Sequence, residues 1–183
     1  MTYQTIIINQ QEIENLNDLI SNLNDNGILW IISKNGKNNL STFKLIEKIT
    51  SKGLKLKNII LWINKFEKIN SLITNLYKNI LFFVKSEDYF FDKDLIRERH
   101  IWKDVEWGKR PKNYNPKGKD PGNVWILTTD DGKGKITGFN PLDLGGVIKR
   151  CILCSTRKGD NVLLKVEGLT TNLNNLKRKI KND

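Results

Sequence analysis

The sequence predicts an α/β domain built on a mainly parallel sheet. Its 183 residues suit one domain that buries a core. Hydrophobic residues make up 38% of the chain and charged residues 28%, which is the composition of a folded rather than a disordered protein. Short apolar runs alternate with segments of helical spacing, as in chains with crossover helices. We therefore expect a single domain over residues 1–183.

Four runs rich in β-branched and aromatic residues predict the strands. They lie at residues 6–8, 28–32, 59–63 and 80–84. Apolar runs without polar alternation are typical of strands that are buried on both faces. A further strand is expected at 161–166.

Helical spacing of apolar residues predicts the intervening helices. The first helical face consists of Ile13, Leu16, Leu19, Ile20 and Leu23. The pair Asn26-Gly27 is expected to end this helix. Ser41 is placed to cap a second helix, which Gly53 ends. Later helices are expected at about 142–155 and, as a polar final element, at about 171–181.

Residues 97–138 differ in composition from the segments around them. They contain Trp102, Trp107, Tyr114 and Trp125, three of the four prolines and many glycines. Aromatic side chains at this density must pack against something, so we predict a long ordered insertion rather than a linker.

The chain is strongly basic, with a net charge of +11 and a pI of about 9.6. Such a surplus favours polyanions, most often nucleic acid. In the insertion, Trp107 or Tyr114 is expected near bases, and six cations are predicted to track phosphates. These are Lys103, Lys109, Arg110, Lys112, Lys117 and Lys119. The alternative is a loop with buried tryptophans and solvated lysines.

Two classes of protein are excluded by the sequence pattern. No apolar run approaches the ~20 residues that a membrane helix needs. The N-terminus lacks the basic start and apolar stretch of a secretory signal. We expect a protein that is not secreted and lies in the cytoplasm or nucleoid.

Cys151 and Cys154 have the C-x-x-C spacing of redox pairs and of half zinc sites. A structural zinc site needs four ligands, and the chain offers a single histidine, His100. Both cysteines lie in a segment with the pattern of an amphipathic helix. We predict that they are packing residues and that the chain holds no metal.

Five segments carry patterns of residues that point to one family: 115–125, NPKGKDPGNVW, and, more weakly, 25–31, 57–65, 79–86 and 150–163. They resemble, in the same order, segments of the DNA methyltransferases that modify base amino groups. The most specific match is 115–125, which is similar to that family's nPkGKnpgDvW signature. The resemblance implies a Rossmann-like sheet with helices on both faces, DNA as partner and S-adenosylmethionine as methyl donor.

The family's catalytic motif, D-P-P-Y or a close variant, follows an apolar strand. Here that position holds Asn9, Gln10, Gln11 and Glu12. In the family the first side chain accepts a hydrogen bond from the target amino group, and the aromatic ring stacks on the flipped base. Asn9 retains an acceptor oxygen without the charge, and Glu12 offers no ring. We assign a catalytic role to none of the four.

The family's cofactor pattern, V-L-D-P-F-x-G-S-G-T-T, is also altered. Leu164, Lys165 and Val166 replace its aspartate, proline and aromatic residue, and Gly168 is the glycine that remains. The strand that normally follows, with an acidic residue for the ribose hydroxyls, is expected to be missing. The sequence therefore predicts an incomplete cofactor half, with no cofactor bound by the isolated chain.

Three interpretations remain open at this stage. The chain is a non-catalytic DNA-binding homologue, or it is an active S-adenosylmethionine-dependent enzyme that methylates adenine N6 or cytosine N4. An active chain would work alone or as one subunit of a heterodimer, in which an intact methyltransferase subunit brings its own catalytic and cofactor loops. The third interpretation is a decaying gene product.

Overall fold

A computed structural model describes residues 2–13, 15–33, 40–63, 77–101, 114–133 and 135–182. The strands are β1 (Tyr3–Asn9), β2 (Leu23–Ile32), β3 (Lys55–Ile63), β4 (Tyr77–Val84), β5 (Val124–Trp125), β6 (Leu127–Asp130), β7 (Ile136–Asn140), β8 (Asn161–Lys165) and β9 (Lys179–Asn182). The helices are α1 (Leu16–Ser21), α2 (Leu40–Thr50) and α3 (Leu144–Ser155), with 3-10 turns at Gln10–Glu12, Lys93–Ile96 and Asn174–Leu176.

Seven strands form one sheet in the order β5-β3-β4-β2-β1-β8-β9, and β6 pairs with β7 as a separate hairpin. Within the sheet, β4 is antiparallel to its neighbours β2 and β3, and the other pairings are parallel. The predicted α/β class and all five predicted strands are confirmed. The carboxyl ends of the parallel strands lie along one edge of the sheet, which we call the carboxyl edge; the opposite side is the amino edge.

Helices cover both faces of the sheet, as predicted. Along β1, Ile7 belongs to the core on the α3 face, whereas Ile6 and Ile8 pack with α1 and α2 on the other. All three side chains are fully buried. The apolar run thus lacks polar alternation because neither face of β1 meets water. No helix in the described ranges is long and apolar enough to cross a membrane.

The first predicted helix extended too far. It ends at Ser21, and Leu23 is already the first residue of β2. The register moves from Tyr3 opposite Leu23 to Thr5 opposite Ile28, so the residues between them bulge out of the ladder. A Cβ on Gly27 would lie 2.7 Å from the Leu23 side chain. Gly27 therefore permits this bulge instead of ending a helix.

Helix α2 begins at Leu40, so Ser41 lies within its first turn and the expected cap at Ser41 is wrong. Gly53 does follow the end of this helix. It adopts a positive φ of 94°, a backbone conformation that costs glycine little.

The C-terminal predictions of a final helix and of a missing strand are both wrong. Between β8 and β9 the chain forms only the 3-10 turn at Asn174–Leu176, and β9 pairs parallel to β8. The buried Leu173 and Leu176 have helical spacing, which explains the error. The neighbouring asparagines favour turns because their amides compete for backbone groups. Gly145 makes room for this connection, since a Cβ there would lie 1.9 Å from Thr171 Oγ1.

A buried hydroxyl joins three elements of the core. Ser155, at the end of α3, donates to the Cys151 carbonyl at 2.5 Å. Its oxygen then accepts from Trp30 Nε1 in β2 at 3.2 Å and from the Thr5 hydroxyl in β1 at 3.0 Å. The indole of Trp30 also stacks on Phe82 with ring centroids 4.4 Å apart. One serine therefore satisfies the polar groups of two central strands.

Replacing this serine should destabilise the fold measurably. Ser155→Ala leaves the Trp30 N–H without its acceptor in a dry core, which should cost about 1–3 kcal/mol of unfolding free energy in urea titrations. The matched control is Ser51→Ala, because Ser51 is exposed and bonds the Lys48 carbonyl. We expect that control to stay within about 0.5 kcal/mol of the unaltered chain. Equal losses would contradict this role of Ser155.

Candidate functional site

Parallel pairing of β1 with β8 brings the two altered motifs together at the carboxyl edge. Ile8 lies opposite Lys165, so the chain leaves both strands side by side. The end of β1 continues into the turn Gln10–Glu12, and the end of β8 continues toward Gly168. The sequence-predicted catalytic and cofactor positions are therefore neighbours in space.

The catalytic position keeps an acceptor but no charge. Asn9 is half-buried and extended, with φ −76° and ψ 146°. The 3-10 turn after it begins without a side-chain cap. Glu12 is half-buried at the end of this turn. The four positions thus offer three neutral amides, at Asn9, Gln10 and Gln11, and one carboxylate at Glu12, and they lack the prolines and the aromatic ring of the family motif.

Part of the altered cofactor motif, residues 164–168, is buried in the hydrophobic core. Leu164 is only 2% exposed and packs on the α3 face, where the family pattern has a carboxylate. Lys165 and Val166 are half-buried. Gly168 adopts a positive φ of 74°, with open space where a side chain would be. Of this motif, only the glycine turn keeps the family's local character.

A cavity of about 320 Å³ opens beside this turn. It is lined by Leu164, Val166, Leu169, Thr171, Asn172, Leu173, Asn174, Ile180 and Asn182. None of these described lining residues carries a charge. S-adenosylmethionine is cationic at sulfur and has ribose hydroxyls that a carboxylate recognises in the family. The amides and the threonine present here provide no such charge, so the donor set does not fit that cofactor.

The segment most similar to the family signature acts as a structural clamp. Gly118, with φ 113°, comes so close to the chain that a Cβ would lie 2.5 Å from the Glu98 carbonyl oxygen. Lys119 and Glu98 exchange backbone hydrogen bonds of 2.7 and 3.0 Å. The segment then ends in Trp125, which is 1% exposed and extends the sheet beside β3. The signature thus fixes a strand to the sheet, and Trp125 packs as its size requires.

The two predicted phosphate contacts that the structure describes are paired with acids. Lys117 Nζ lies 2.5 Å from an Asp94 oxygen, and Lys119 Nζ lies 4.0 Å from Glu98. Arg97 shares Asp94 at 2.5 Å. Hydrogen bonds from Lys117 and then Arg97 lower the pKa of Asp94 to about 2. The other four predicted contacts lie outside the described residues: Lys103, Lys109, Arg110 and Lys112.

His100, to which the sequence assigns no role, lies in the same loop region. Its ring centroid is 5.0 Å from that of Tyr114, and Nε2 is 3.1 Å from the Asn115 carbonyl oxygen. Both rings line an open cavity of about 460 Å³. Among its described lining residues, no serine, cysteine or second histidine joins them, so the cavity does not present a Ser–His or Cys–His pair.

Both cysteines are packing residues. Cys151 and Cys154 are fully buried in α3, and burial raises the pKa of each thiol. Thiols held protonated in this way are poor nucleophiles and poor metal ligands. Within the described ranges, no cluster of three or more His, Cys, Asp or Glu residues has metal-binding geometry.

Two basic turns at the amino edge were missed by the sequence analysis. The turn before β8 contains Arg157 and Lys158, and the turn before β9 contains Lys177 and Arg178. The turns bond each other through Gly159 N to the Lys177 carbonyl and Lys179 N to the Asp160 carbonyl, both at 2.9 Å. The sequence shows both pairs of basic residues. Because we predicted a helix at about 171–181, the parallel pairing of β8 with β9 that brings the two pairs together was not expected.

The N6/N4-methyltransferase family model, described as DNA methylase, matches residues 10–163. Among solved structures, "crystal structure of M1.HpyAVI-SAM complex" aligns at a TM-score of 0.61 with 18% identity, covering 100% of this chain and 82% of that one. "Crystal structure of M1.HpyAVI" aligns at 0.63 with 14% identity, covering 100% and 81%. At these identities the structural matches establish the fold, and the family match establishes the relationship.

The carboxylate of Asp94, which pairs with both Lys117 and Arg97, gives a prediction about its own pKa. Lys117→Ala removes the largest cause of the lowered pKa, so the Asp94 midpoint should rise from about 2 toward its ordinary 3.8, measured by carboxyl carbon NMR. Because a depressed pKa stabilises the folded state above the ordinary value, this contribution is lost as pH falls toward 2. Lys133→Ala, on the distant hairpin, should leave the midpoint unchanged. An unshifted midpoint in Lys117→Ala would refute the pairing.

Proposed function

The chain belongs to the N6/N4 DNA methylase family, and we propose that it binds DNA without methylating it by itself, either alone or as the partner of an intact methyltransferase subunit. One observation supports this most: the carboxyl edge, where catalysis and cofactor binding meet in the family, presents Asn9 and a cavity whose described lining residues carry no charge. The scaffold is kept while its reactive groups are replaced.

The catalytic argument rests on charge and stacking. Transfer of a methyl group to an amino nitrogen develops positive charge there, which a carboxylate stabilises better than an amide. Asn9 accepts a hydrogen bond but adds no negative charge. At the fourth motif position, Glu12 offers no ring on which a flipped base stacks. A chain with these groups is poorly equipped to hold and activate the target amine.

The cofactor argument rests on the cavity beside Gly168. Leu164 fills the position of the motif carboxylate with a buried apolar side chain. The strand β9 is present, so this argument does not depend on a missing strand. Its last described residue, Asn182, lines the cavity with a neutral amide. These residues give a cationic cofactor no counter-charge, and we derive no reaction through it.

The DNA-binding half of the proposal is supported by family membership and by the net charge of +11. A cationic surface attracts the phosphate backbone of any sequence. Phosphate contacts survive the loss of catalytic groups because they depend on other side chains. A protein that binds chromosomal DNA shares its compartment, so the proposal includes an intracellular location.

A second candidate is an active DNA amino-methyltransferase that needs a partner. The cavity beside β9 favours it, because a concave site remains at the family's cofactor position. In this alternative, an intact subunit supplies the catalytic loop and the charged groups. Cofactor binding by the isolated chain would favour an enzyme that works by itself, whereas the absence of binding is expected of both candidates.

We expect no S-adenosylmethionine binding in calorimetry of the isolated chain. The physical reason is the neutral cavity and the buried Leu164 at the carboxylate position. The positive control is M1.HpyAVI, whose structure was solved as a complex with that cofactor. Micromolar affinity for the isolated chain would overturn the proposal and favour the enzyme.

The predicted phosphate contacts in the insertion at 97–138 give a second prediction. Changing Lys109, Arg110 and Lys112 to alanine should weaken binding to all duplex sequences about equally, because phosphate contacts contain no base information. Each lost contact should flatten the slope of log affinity against log salt by about one. Fluorescence anisotropy over a salt series measures both.

The matched control replaces Lys44, Lys48 and Lys52, which lie on or just after the exposed side of α2. This triple removes the same charge from another surface. If the two triples lose affinity equally, the charge acts globally and the loop is not a localised contact.

A further inference from the structure

We propose that Arg157, Lys158, Lys177 and Lys179 form a second phosphate-binding surface for duplex DNA, the amino-edge patch. It lies at the starts of β8 and β9, opposite the edge that holds Asn9 and the neutral cavity. All four side chains are exposed. This inference rests on the proposed DNA-binding function and gives it a location.

A half-buried arginine holds the two turns of the patch together. Arg178 donates from Nε to Thr156 Oγ1 at 3.0 Å and from Nη2 to the Thr156 carbonyl at 2.8 Å. Its Nη1 donates to the Leu176 carbonyl at 2.6 Å. Burial lowers the pKa of Arg178. This guanidinium is therefore committed to the fold, and it fixes the backbone from which the flanking cations project.

The three lysines of the patch have no acidic partner among the described residues. In the described part of the chain, no carboxylate forms an ion pair with Lys158, Lys177 or Lys179. The nearby Asp160 accepts a hydrogen bond from the Arg157 backbone at 2.7 Å. Lys117 and Lys119 of the clamp, by contrast, are paired with Asp94 and Glu98. An unpaired cation releases more free energy on meeting a phosphate, because no existing pair must break.

Fold stability alone explains only part of this cluster. Arg157 and Lys158 follow the C-terminus of α3, where positive charge is favourable to the helix. Lys177 and Lys179 belong to another turn, and bringing them close to the first pair costs repulsion. Four like charges on adjoining turns are expected where an anionic partner offsets that cost.

Duplex DNA fits the patch better than an anionic membrane does. Proteins that lie on a bilayer bury large apolar side chains beside their cations. None of the exposed large hydrophobic side chains in the described ranges belongs to either turn. Arg157 instead lies over the Phe90 ring at 4.3 Å. Neither turn therefore contributes an exposed apolar anchor of its own, which suits a hydrated phosphate backbone.

The position of the patch has a consequence for DNA bound there. The five residues of β8 separate it from the carboxyl edge by about 16 Å. A duplex bound to the patch thus lies at the amino edge of the sheet, on the side opposite Asn9. Binding in this mode anchors the chain on DNA without presenting a base to the altered catalytic position.

The test compares the triple Lys158→Ala, Lys177→Ala, Lys179→Ala with the α2 triple at Lys44, Lys48 and Lys52. Anisotropy of a short fluorescein-labelled duplex is measured over a salt series, with two unrelated sequences. If all three patch lysines contact phosphates, the affinity lost between about 50 and 200 mM salt should be roughly 40-fold smaller than for the unaltered chain. The α2 triple should keep the original slope.

A lysine-to-arginine triple at the same three positions keeps the charge and should retain binding, which separates charge loss from misfolding. If the unaltered chain binds no duplex, the proposed function fails and this inference fails with it. If the unaltered chain binds and the patch triple matches the α2 triple, only this inference is overturned. It is also overturned if the patch triple loses binding to phosphatidylserine vesicles while its duplex affinity is unchanged.

Discussion

The parallel pairing of β1 with β8 is the constraint on which the rest of the molecule depends. It joins the N-terminal strand to one more than 150 residues later, with Thr5 opposite Val162. This pairing places β1 in the middle of the sheet and aligns the ends of both altered motifs. The Ser155 hydroxyl ties the same two regions from the α3 side. Without the pairing, the two altered motifs would not meet at the carboxyl edge, and β8 and β9 would not be attached to the rest of the sheet.

The strands were predictable because burial on both faces leaves a continuous apolar run, as in β1 and β4. The C-terminal segment was not, because Leu173 and Leu176 have helical spacing in a connection that is not a helix. The spacing of apolar residues in the sequence indicates which side chains are buried, but not which element of structure buries them. At the start of β2, the bulge at Gly27 depends on its contact with Leu23, which no periodicity encodes.

The site was predictable to a similar degree. The altered motifs at Asn9 and Leu164 were found by resemblance, and the fold places them side by side. The partners of the loop cations were not foreseen, since Asp94 lies 23 residues before Lys117. The amino-edge patch was missed for the same reason, because strand pairing brings its two turns together. Electrostatic surfaces are properties of the fold, whereas motifs are properties of the sequence.

The short strand β9 has a consequence for proteostasis. It covers the outer backbone of β8, whose Val162, Leu163 and Leu164 are all buried. Exposed apolar strand edges recruit other chains and seed aggregates. β9 replaces such an edge with one that presents Lys179 and Lys181 to water, and charged edges resist this recruitment. β9 thus protects this side of the sheet, and a proteolytic nick before Lys179 that released β9 would expose the apolar edge of β8.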